Sequence, residues 1–170
     1  MTDFTAAYKK TLGAEGWFKL TNIPGDAGGQ TYAGISRRAN PSWEGWKNID
    51  RGQSVPESMV STFYKATYWD AVFGDDIADQ HSAESLYDFA VNGGGTTARV
   101  LAQKSAGVND DGIFGPVTIA EINSMDPKLF TARFALYKID KYRKIVQRSP
   151  EQVKFLLGWI NRTIDQEELV

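Results

Sequence analysis

The chain has 170 residues, a formal net charge of -2 and a pI of about 5.4. This mildly acidic balance argues against a nucleic-acid partner, because nucleic-acid-binding domains normally carry a basic surplus. The chain contains no cysteine, which excludes disulfides and thiolate chemistry. Its first residues lack the apolar core of a signal peptide, and no apolar run is long enough to cross a bilayer, so we expect no stable membrane insertion.

The N-terminal third of the sequence begins with a helix and continues into an irregular segment. Apolar residues recur at helical spacing from Phe4 to Leu12, which places Glu15 at or just beyond the helix C-terminus. The stretch from Ile23 to Gly52 is dense in Gly, Pro, Asn and Asp and has no helical period. Its best strand candidate is Gln30 to Ser36, so we predict a small β-hairpin or an irregular lobe here.

Helix signals dominate the rest of the chain. They are a capping box, Asp–Pro and Gly–Pro starts, and glycine-rich stops. The expected helices begin at a Ser54–Glu57 box, after Ser82, after a Thr96 or Thr97 cap, at Pro116, at Pro127 and at 149–152. The sequence therefore predicts a mainly α fold with one small β-containing lobe near the N-terminus.

Basic residues concentrate in the last third of the chain. They are Lys128, Arg133, Lys138, Lys141, Arg143, Lys144, Arg148 and Lys154. We interpret them as the solvated face of a helix in preference to a dedicated surface for anionic partners.

Carboxylates are the best candidates for chemistry, because the single histidine and the lack of cysteine leave no Cys/His pair and no histidine-rich or thiolate metal site. Glycosidic cleavage needs a protonated carboxyl group and usually a second polar group. Glu15 and Asp26 fit this need by position, and a helix C-terminus with Trp17 nearby favours a protonated Glu15. Spacing alone leaves a surface glutamate equally plausible, and for Asp26 between glycines it favours turn chemistry. No metal or organic cofactor is implied.

Two N-terminal segments resemble glycoside hydrolase family 108, the muramidases of phages and prophages. They are Ala14-Glu-Gly-Trp17 and Asp26-Ala-Gly-Gly-Gln-Thr-Tyr-Ala-Gly-Ile-Ser36. The resemblance implies that Glu15 is the catalytic acid, although Trp17 stands one place short of the usual Gly-Tyr ending. The order Glu, Asp, Thr is also similar to that of the T-even phage lysozymes, which implies that Asp26 orients or stabilises and that Thr31 holds the attacking water.

Several further residues are candidates for substrate binding. Trp17, Tyr32 and Gly34 belong to the same N-terminal segments, and a glycine permits close approach of a sugar, although a tight turn is at least as good an explanation of Gly34. The segments 86–95 and 111–118 resemble the predicted peptidoglycan-binding region of this family, with Asn92 and Asp111 as contacts. For Gly112 and Gly115 we favour a structural role, in a turn that leads into the helix at Pro116, over a contact with substrate.

The segment 155–162 also resembles the C-terminal end of the family, and there we expect Trp159 to belong to the core and not to a sugar platform.

The resemblance implies a lysozyme-like α+β fold, with a catalytic half over residues 1–90 and a helical, peptidoglycan-contacting half over 91–170. It also implies a muramidase that cleaves between N-acetylmuramic acid and N-acetylglucosamine, has peptidoglycan strands as its partner, and acts as a monomer. As a phage endolysin it would accumulate in the host cytoplasm and act on the periplasmic wall. The alternatives are a lytic transglycosylase and a non-catalytic wall-binding or secretion-associated protein.

Overall fold

The computed structural model describes residues 2–12, 18–22 and 29–167. The chain forms two compact units, Thr5–Thr67 and Met1–Phe4 with Tyr68–Val170. We call the first the N-terminal unit and the second the helical unit. The expected division into a catalytic half, residues 1–90, and a peptidoglycan-contacting half, residues 91–170, is a division by role and stays a prediction.

The N-terminal unit carries the only sheet in the described residues. Its elements are α1 (Phe4–Leu12, whose first residue belongs to the helical unit), β1 (Leu20–Asn22), β2 (Gln30–Tyr32), β3 (Ile35–Ser36), α2 (Gly45–Asp50) and α3 (Glu57–Tyr64). The three strands are antiparallel in the order β1-β2-β3, with Thr31 of β2 opposite Thr21 and Ser36. A π-helical turn, Lys65–Trp69, follows α3.

The helical unit consists of helices and short 3-10 turns. Its α-helices are α4 (Gln80–Gly93), α5 (Gly95–Ala106), α6 (Pro116–Ser124), α7 (Pro127–Arg148) and α8 (Val153–Glu167). The 3-10 turns are Asp70–Val72, Gly74–Asp76 and Pro150–Gln152. Leu86 of α4 and Phe130 and Phe134 of α7 are completely buried, and the two α7 rings stack 5.9 Å apart. The predicted mainly α fold with a small β lobe is confirmed.

The predicted small β-hairpin is confirmed, and the segment expected as one strand, Gln30 to Ser36, forms two strands joined by a tight turn. Ala33 and Gly34 have φ of 48° and 76°, so the chain reverses over two residues between the paired residues Tyr32 and Ile35. Alanine rarely adopts a positive φ, but Ala33 is buried and its carbonyl accepts a 2.9 Å hydrogen bond from the Tyr64 hydroxyl. This long-range bond supports the turn, and the local sequence does not reveal it.

Helix α2 is also absent from the sequence-based prediction. Its six residues are too few to show a helical period, so the segment was indistinguishable from a loop. Gly45 begins the helix under the ring of Trp43, where an added Cβ would lie 2.4 Å from a ring carbon. The close approach of this ring explains the glycine.

Three predicted helix starts are wrong by a few residues. Helix α3 begins only after Pro56, because proline disfavours helical geometry at Val55, so Ser54 and Glu57 form no capping box. Helix α4 is capped by Asp79, whose carboxylate accepts 2.8 Å hydrogen bonds from the backbone N–H and hydroxyl of Ser82. Helix α5 begins at Gly95 without a threonine cap.

Other predicted boundaries are confirmed. Helix α1 spans Phe4–Leu12, Gly107 ends α5 in left-handed geometry, and α6 and α7 begin at Pro116 and Pro127. The Asp126 side chain caps α7 at the backbone N–H of Leu129, at 3.0 Å.

Candidate functional site

Three of the predicted site residues lie outside the described residues. They are Glu15, Asp26 and Trp17, so their roles stay predictions. The described part of the same segment begins at Gly29 and contains the third expected catalytic residue, Thr31.

Thr31 occupies the middle of the central strand β2. Its backbone oxygen accepts a 3.3 Å hydrogen bond from the Thr21 hydroxyl. Thr31 is half-buried as a residue, and its own hydroxyl makes no hydrogen bond with any residue in the described ranges. A hydroxyl held on a paired strand with free hydrogen-bonding capacity can position a water molecule, which is the role expected of Thr31.

Tyr32 projects to the other face of the sheet, because side chains alternate along a strand. Its ring stacks on Trp43 at 6.1 Å and 28°. Trp43 in turn meets Trp46 and Phe63 edge-on at 5.2 and 6.1 Å. The structure therefore gives Tyr32 a packing role that holds the hairpin, and its predicted contact with substrate is untested.

An arginine clamp fixes the hairpin from the side of Gln30. Arg37 donates two hydrogen bonds to the Asp50 carboxylate, at 2.7 and 2.6 Å, and a third to the Gln30 side chain at 2.8 Å. Its guanidinium also lies 5.2 Å from the ring centre of Trp46. The Arg37 hydrogen bonds lower the pKa of Asp50, which keeps this carboxylate charged.

A groove of about 490 Å³ opens in the N-terminal unit beside this aromatic cluster. Trp43, Phe63 and Met59 supply its apolar lining, and Glu44 and Thr62 add polar groups. Aromatic walls with a few polar groups suit a sugar, whose ring has apolar C–H faces and polar edges.

Asp111 stabilises the loop between α5 and α6 through hydrogen bonds. Its carboxylate accepts hydrogen bonds from the Ile113 backbone N–H at 2.8 Å and from the side chains of Gln103 at 3.0 Å and Asn109 at 2.8 Å. The hydrogen bonds from Gln103 and Ile113 are the main causes that lower the pKa of Asp111. Asp111 thus organises this turn, and the Gly112 N–H bonds the Gln103 side chain at 2.8 Å. Its predicted contact with peptidoglycan stays a prediction.

Asn92 is exposed at the end of α4 and lines a second groove, of about 530 Å³, in the helical unit. Tyr142 and Trp159 form part of its wall, and Lys141 and Arg162 contribute positive charge. The sequence did not single out Tyr142 or Arg162. The interpretation of Lys141 as part of a solvated helix face does not indicate that it lines this groove, and Trp159, expected in the core, is only half-buried.

Two kinds of feature are absent from the described ranges, a cluster of side chains that could hold a metal ion and a helix that could span a membrane. In them, no group of three or more His, Cys, Asp or Glu side chains is arranged to hold a metal ion. No helix among these residues combines the length and apolarity needed to cross a membrane.

Comparison with known proteins identifies both parts of the sequence. Residues 8–94 match the family model of glycosyl hydrolase 108, and residues 96–164 match a model described as a predicted peptidoglycan domain. No curated protein matches the sequence. The fold is similar to that of Brucella abortus SagA, with a TM-score of 0.73 and 22% identity over 97% of this chain and 91% of SagA. The chain belongs to the glycosyl hydrolase 108 family and is a peptidoglycan-related glycoside hydrolase.

Proposed function

We propose that the chain is a lysozyme-type muramidase that cleaves the β-1,4 bond between N-acetylmuramic acid and N-acetylglucosamine. Glu15 acts as the general acid, Asp26 orients or stabilises, and Thr31 holds the attacking water. The observation that carries the proposal is the glycosyl hydrolase match over residues 8–94, which includes all three residues in one segment.

The chemistry follows from a carboxylic acid facing a glycosidic oxygen. Glu15 gives its proton to the oxygen while the bond from this oxygen to the sugar C1 breaks, and positive charge develops on the ring. A water molecule held at the Thr31 hydroxyl adds to C1 and passes a proton to bulk water, so that a hydroxyl replaces the leaving sugar, and Glu15 regains its proton from the solvent. The anionic form of Asp26 favours the charged transition state.

Two features of the described residues support this assignment. The hairpin that carries Thr31 is held by the Tyr64 bond to Ala33, which gives the hydroxyl a fixed position. The aromatic groove of the N-terminal unit is of a size and character suited to sugars. The match of residues 96–164 to a peptidoglycan domain supports peptidoglycan over other polysaccharides.

The biological role that we propose is host lysis by a phage endolysin. The protein would accumulate in the host cytoplasm as a monomer, be released by a holin, and act on the periplasmic wall. A cysteine-free sequence supports this route, because its folding does not depend on the redox state of either compartment. Expression in a bacterial host should cause lysis only when a holin is co-expressed, and lysis without one would contradict this route.

The cleavage reaction is tested by the products that the purified protein releases from peptidoglycan. Mass spectrometry after borohydride reduction should show reduced N-acetylmuramic acid ends. Anhydro ends would identify a lytic transglycosylase instead, and intact peptidoglycan would identify a non-catalytic wall protein.

The acid itself is tested with Glu15→Gln. This variant should lose about 10²- to 10⁴-fold in rate, as expected for removal of a general acid. Glu121→Gln is the matched control, since Glu121 is exposed on α6 and should leave the rate unchanged. Equal rates for Glu15→Gln and the control would exclude Glu15 as the proton donor.

A further inference from the structure

The second groove, introduced with Asn92, is built from three helices of the helical unit. The C-terminal end of α4 supplies Asn92, α7 supplies Lys141 and Tyr142, and α8 supplies Trp159 and Arg162. Its volume of about 530 Å³ can accommodate a sugar with part of a peptide. Six of its nine lining residues lie within the segment that matches the peptidoglycan domain, and Phe89, Asn92 and Gly93 lie in the segment that matches glycosyl hydrolase 108.

An aromatic platform forms one part of this groove. The rings of Tyr142 and Trp159 lie 5.3 Å apart at 31°, and both are half-buried, so each is fixed by packing while part of it remains accessible. Beside Trp159, Gly158 has nothing within 4 Å of where a Cβ would stand, so no side chain narrows the groove there. A rigid, partly open aromatic pair of this kind suits the apolar face of a sugar ring.

One cation in the groove, Lys141, is not neutralised by any acid among the described residues. Arg143 and Lys144, which follow on α7, both pair with Asp140 at 2.6 Å. Lys141 has no such partner in the described ranges. Because the neighbouring cations are paired, Lys141 is the α7 cation free to bind an anion in this groove.

Arg162 adds a second donor with a fixed direction. Its Nε and Nη2 donate to the two oxygens of the buried Asp88 carboxylate, at 3.0 and 2.5 Å. This bidentate pair holds the guanidinium plane and leaves Nη1 without a partner among the described residues. Asn92 donates to the Asp88 backbone oxygen at 2.7 Å, which orients its amide at the same end of the groove.

We propose that this groove binds the peptide-bearing part of peptidoglycan. An N-acetyl sugar packs on Tyr142 and Trp159, and a carboxylate of the stem peptide binds Lys141 and the free Nη1 of Arg162. Charge complementarity favours this ligand over a neutral glycan, because stem peptides carry free carboxylates and chitin oligosaccharides do not. The inference rests on the proposed function in so far as peptidoglycan is the substrate, and it assigns a binding role to residues that take no part in bond cleavage.

The test is a binding titration of the parent chain in which NMR monitors the binding. The ligand is the disaccharide tetrapeptide GlcNAc–MurNAc-peptide, which lacks the linkage that a muramidase cleaves, and chitotetraose is the neutral comparison. Lys141→Gln should weaken muropeptide binding about three- to tenfold, the effect of losing one charge-assisted hydrogen bond at a half-exposed site. It should leave chitotetraose binding unchanged.

Two further variants keep the test specific. Lys128→Gln removes an exposed cation from the same helix without lining the groove, and should not change muropeptide binding. Trp159→Phe keeps a ring and should bind both ligands better than Trp159→Ala. The proposal is overturned if Lys141→Gln binds muropeptide as well as the parent, if Lys128→Gln loses as much, or if muropeptide does not bind.

Failure here can be distinguished from failure of the proposed cleavage. The Lys141→Gln variant should still release the same kind of product from peptidoglycan, because the bond-breaking residues are intact, but at a reduced rate when peptidoglycan is limiting, because substrate binding is weakened. If Lys141→Gln binds muropeptide as tightly as the parent while Glu15→Gln is inactive, the binding role of the groove is refuted and the proposed reaction is not. If Lys141→Gln binds muropeptide more weakly while Glu15→Gln is fully active, the binding role of the groove is supported and Glu15 is refuted as the acid of the proposed reaction.

Discussion

Removing the ammonium group of Lys138 should destabilise the protein strongly. Lys138 of α7 and Glu167 at the end of α8 are almost completely buried and form an ion pair, and the Ser85 hydroxyl of α4 donates to the same carboxylate. The Lys138 ammonium also lies 3.3 Å from the Ser85 oxygen, and His81 lies 3.6 Å from the second oxygen of Glu167. The pair thus ties the C-terminal helix to α4 and α7.

The expected magnitude follows from burial. Lys138→Met would leave the Glu167 carboxylate buried without its main counter-charge, and removing one partner of a buried pair costs about 3 to 5 kcal/mol. For a chain of this length, that corresponds to a fall in melting temperature of about 6 to 20 °C. Lys138→Met/Glu167→Gln should recover much of the loss, because it removes the unpaired charge together with its partner.

Urea unfolding followed by circular dichroism at pH 7 measures this effect. Lys128→Met is the matched control, because Lys128 is exposed on the same helix and its removal should change stability by less than about 0.5 kcal/mol. The reasoning would be refuted by a Lys138→Met variant as stable as this control. It would also be refuted by a double variant whose loss equals the sum of the two single losses.

The same cluster predicts a pH dependence. Burial opposes ionisation of Glu167, but the nearby His81 imidazole and the contacts with Lys138 and Ser85 outweigh it, so the pKa of Glu167 is lowered. A lowered folded-state pKa means that the folded state binds the proton more weakly than the unfolded chain. The stabilisation is therefore complete above the ordinary pKa of glutamate and is lost as the pH falls through the lowered pKa. Acid unfolding of Glu167→Gln should lack this component.

Three smaller effects are expected elsewhere. Gly34→Ala should cost about 1 kcal/mol because the turn requires a positive φ, and thermal unfolding would show it; an unchanged melting temperature would contradict the turn geometry. Tyr64→Phe removes the bond to the buried Ala33 carbonyl and should cost about 1 to 2 kcal/mol in urea unfolding, while a neutral variant would show that the bond contributes nothing. Asp111→Ala should make acid unfolding shallower, since stability from a carboxylate with a lowered pKa is lost as the pH falls through that pKa; an unchanged acid profile would contradict this.

Elements with strong local signals were predictable from the sequence. The Asp126–Pro127 start of α7 and the glycine stop of α5 depend on contacts within a few residues, and both are confirmed. The hairpin turn at Ala33 was not predictable, because a tyrosine 31 positions away supports it. Helix α2 was missed because it is too short to show a period.

The candidate site divides in the same way. Thr31 could be located on a strand from the local pattern of Gln30 to Ser36, and the alternation of side chains along a strand places Tyr32 on the opposite face. The sequence does not reveal that Tyr32 stacks on Trp43. The groove around Lys141 and Trp159 required the helices to be placed, since these residues lie 18 positions apart on different helices. A basic residue followed by an aromatic residue, as in Lys141-Tyr142, was the one local signal available.

Product analysis with parent and Glu15→Gln proteins tests the central claim most directly. Both are incubated with the same purified peptidoglycan, and the released fragments are reduced with borohydride and analysed by mass spectrometry. We expect the parent to produce reduced N-acetylmuramic acid ends and Glu15→Gln to produce almost none. Anhydro ends from the parent, or undiminished release by Glu15→Gln, would contradict hydrolysis with Glu15 as the acid.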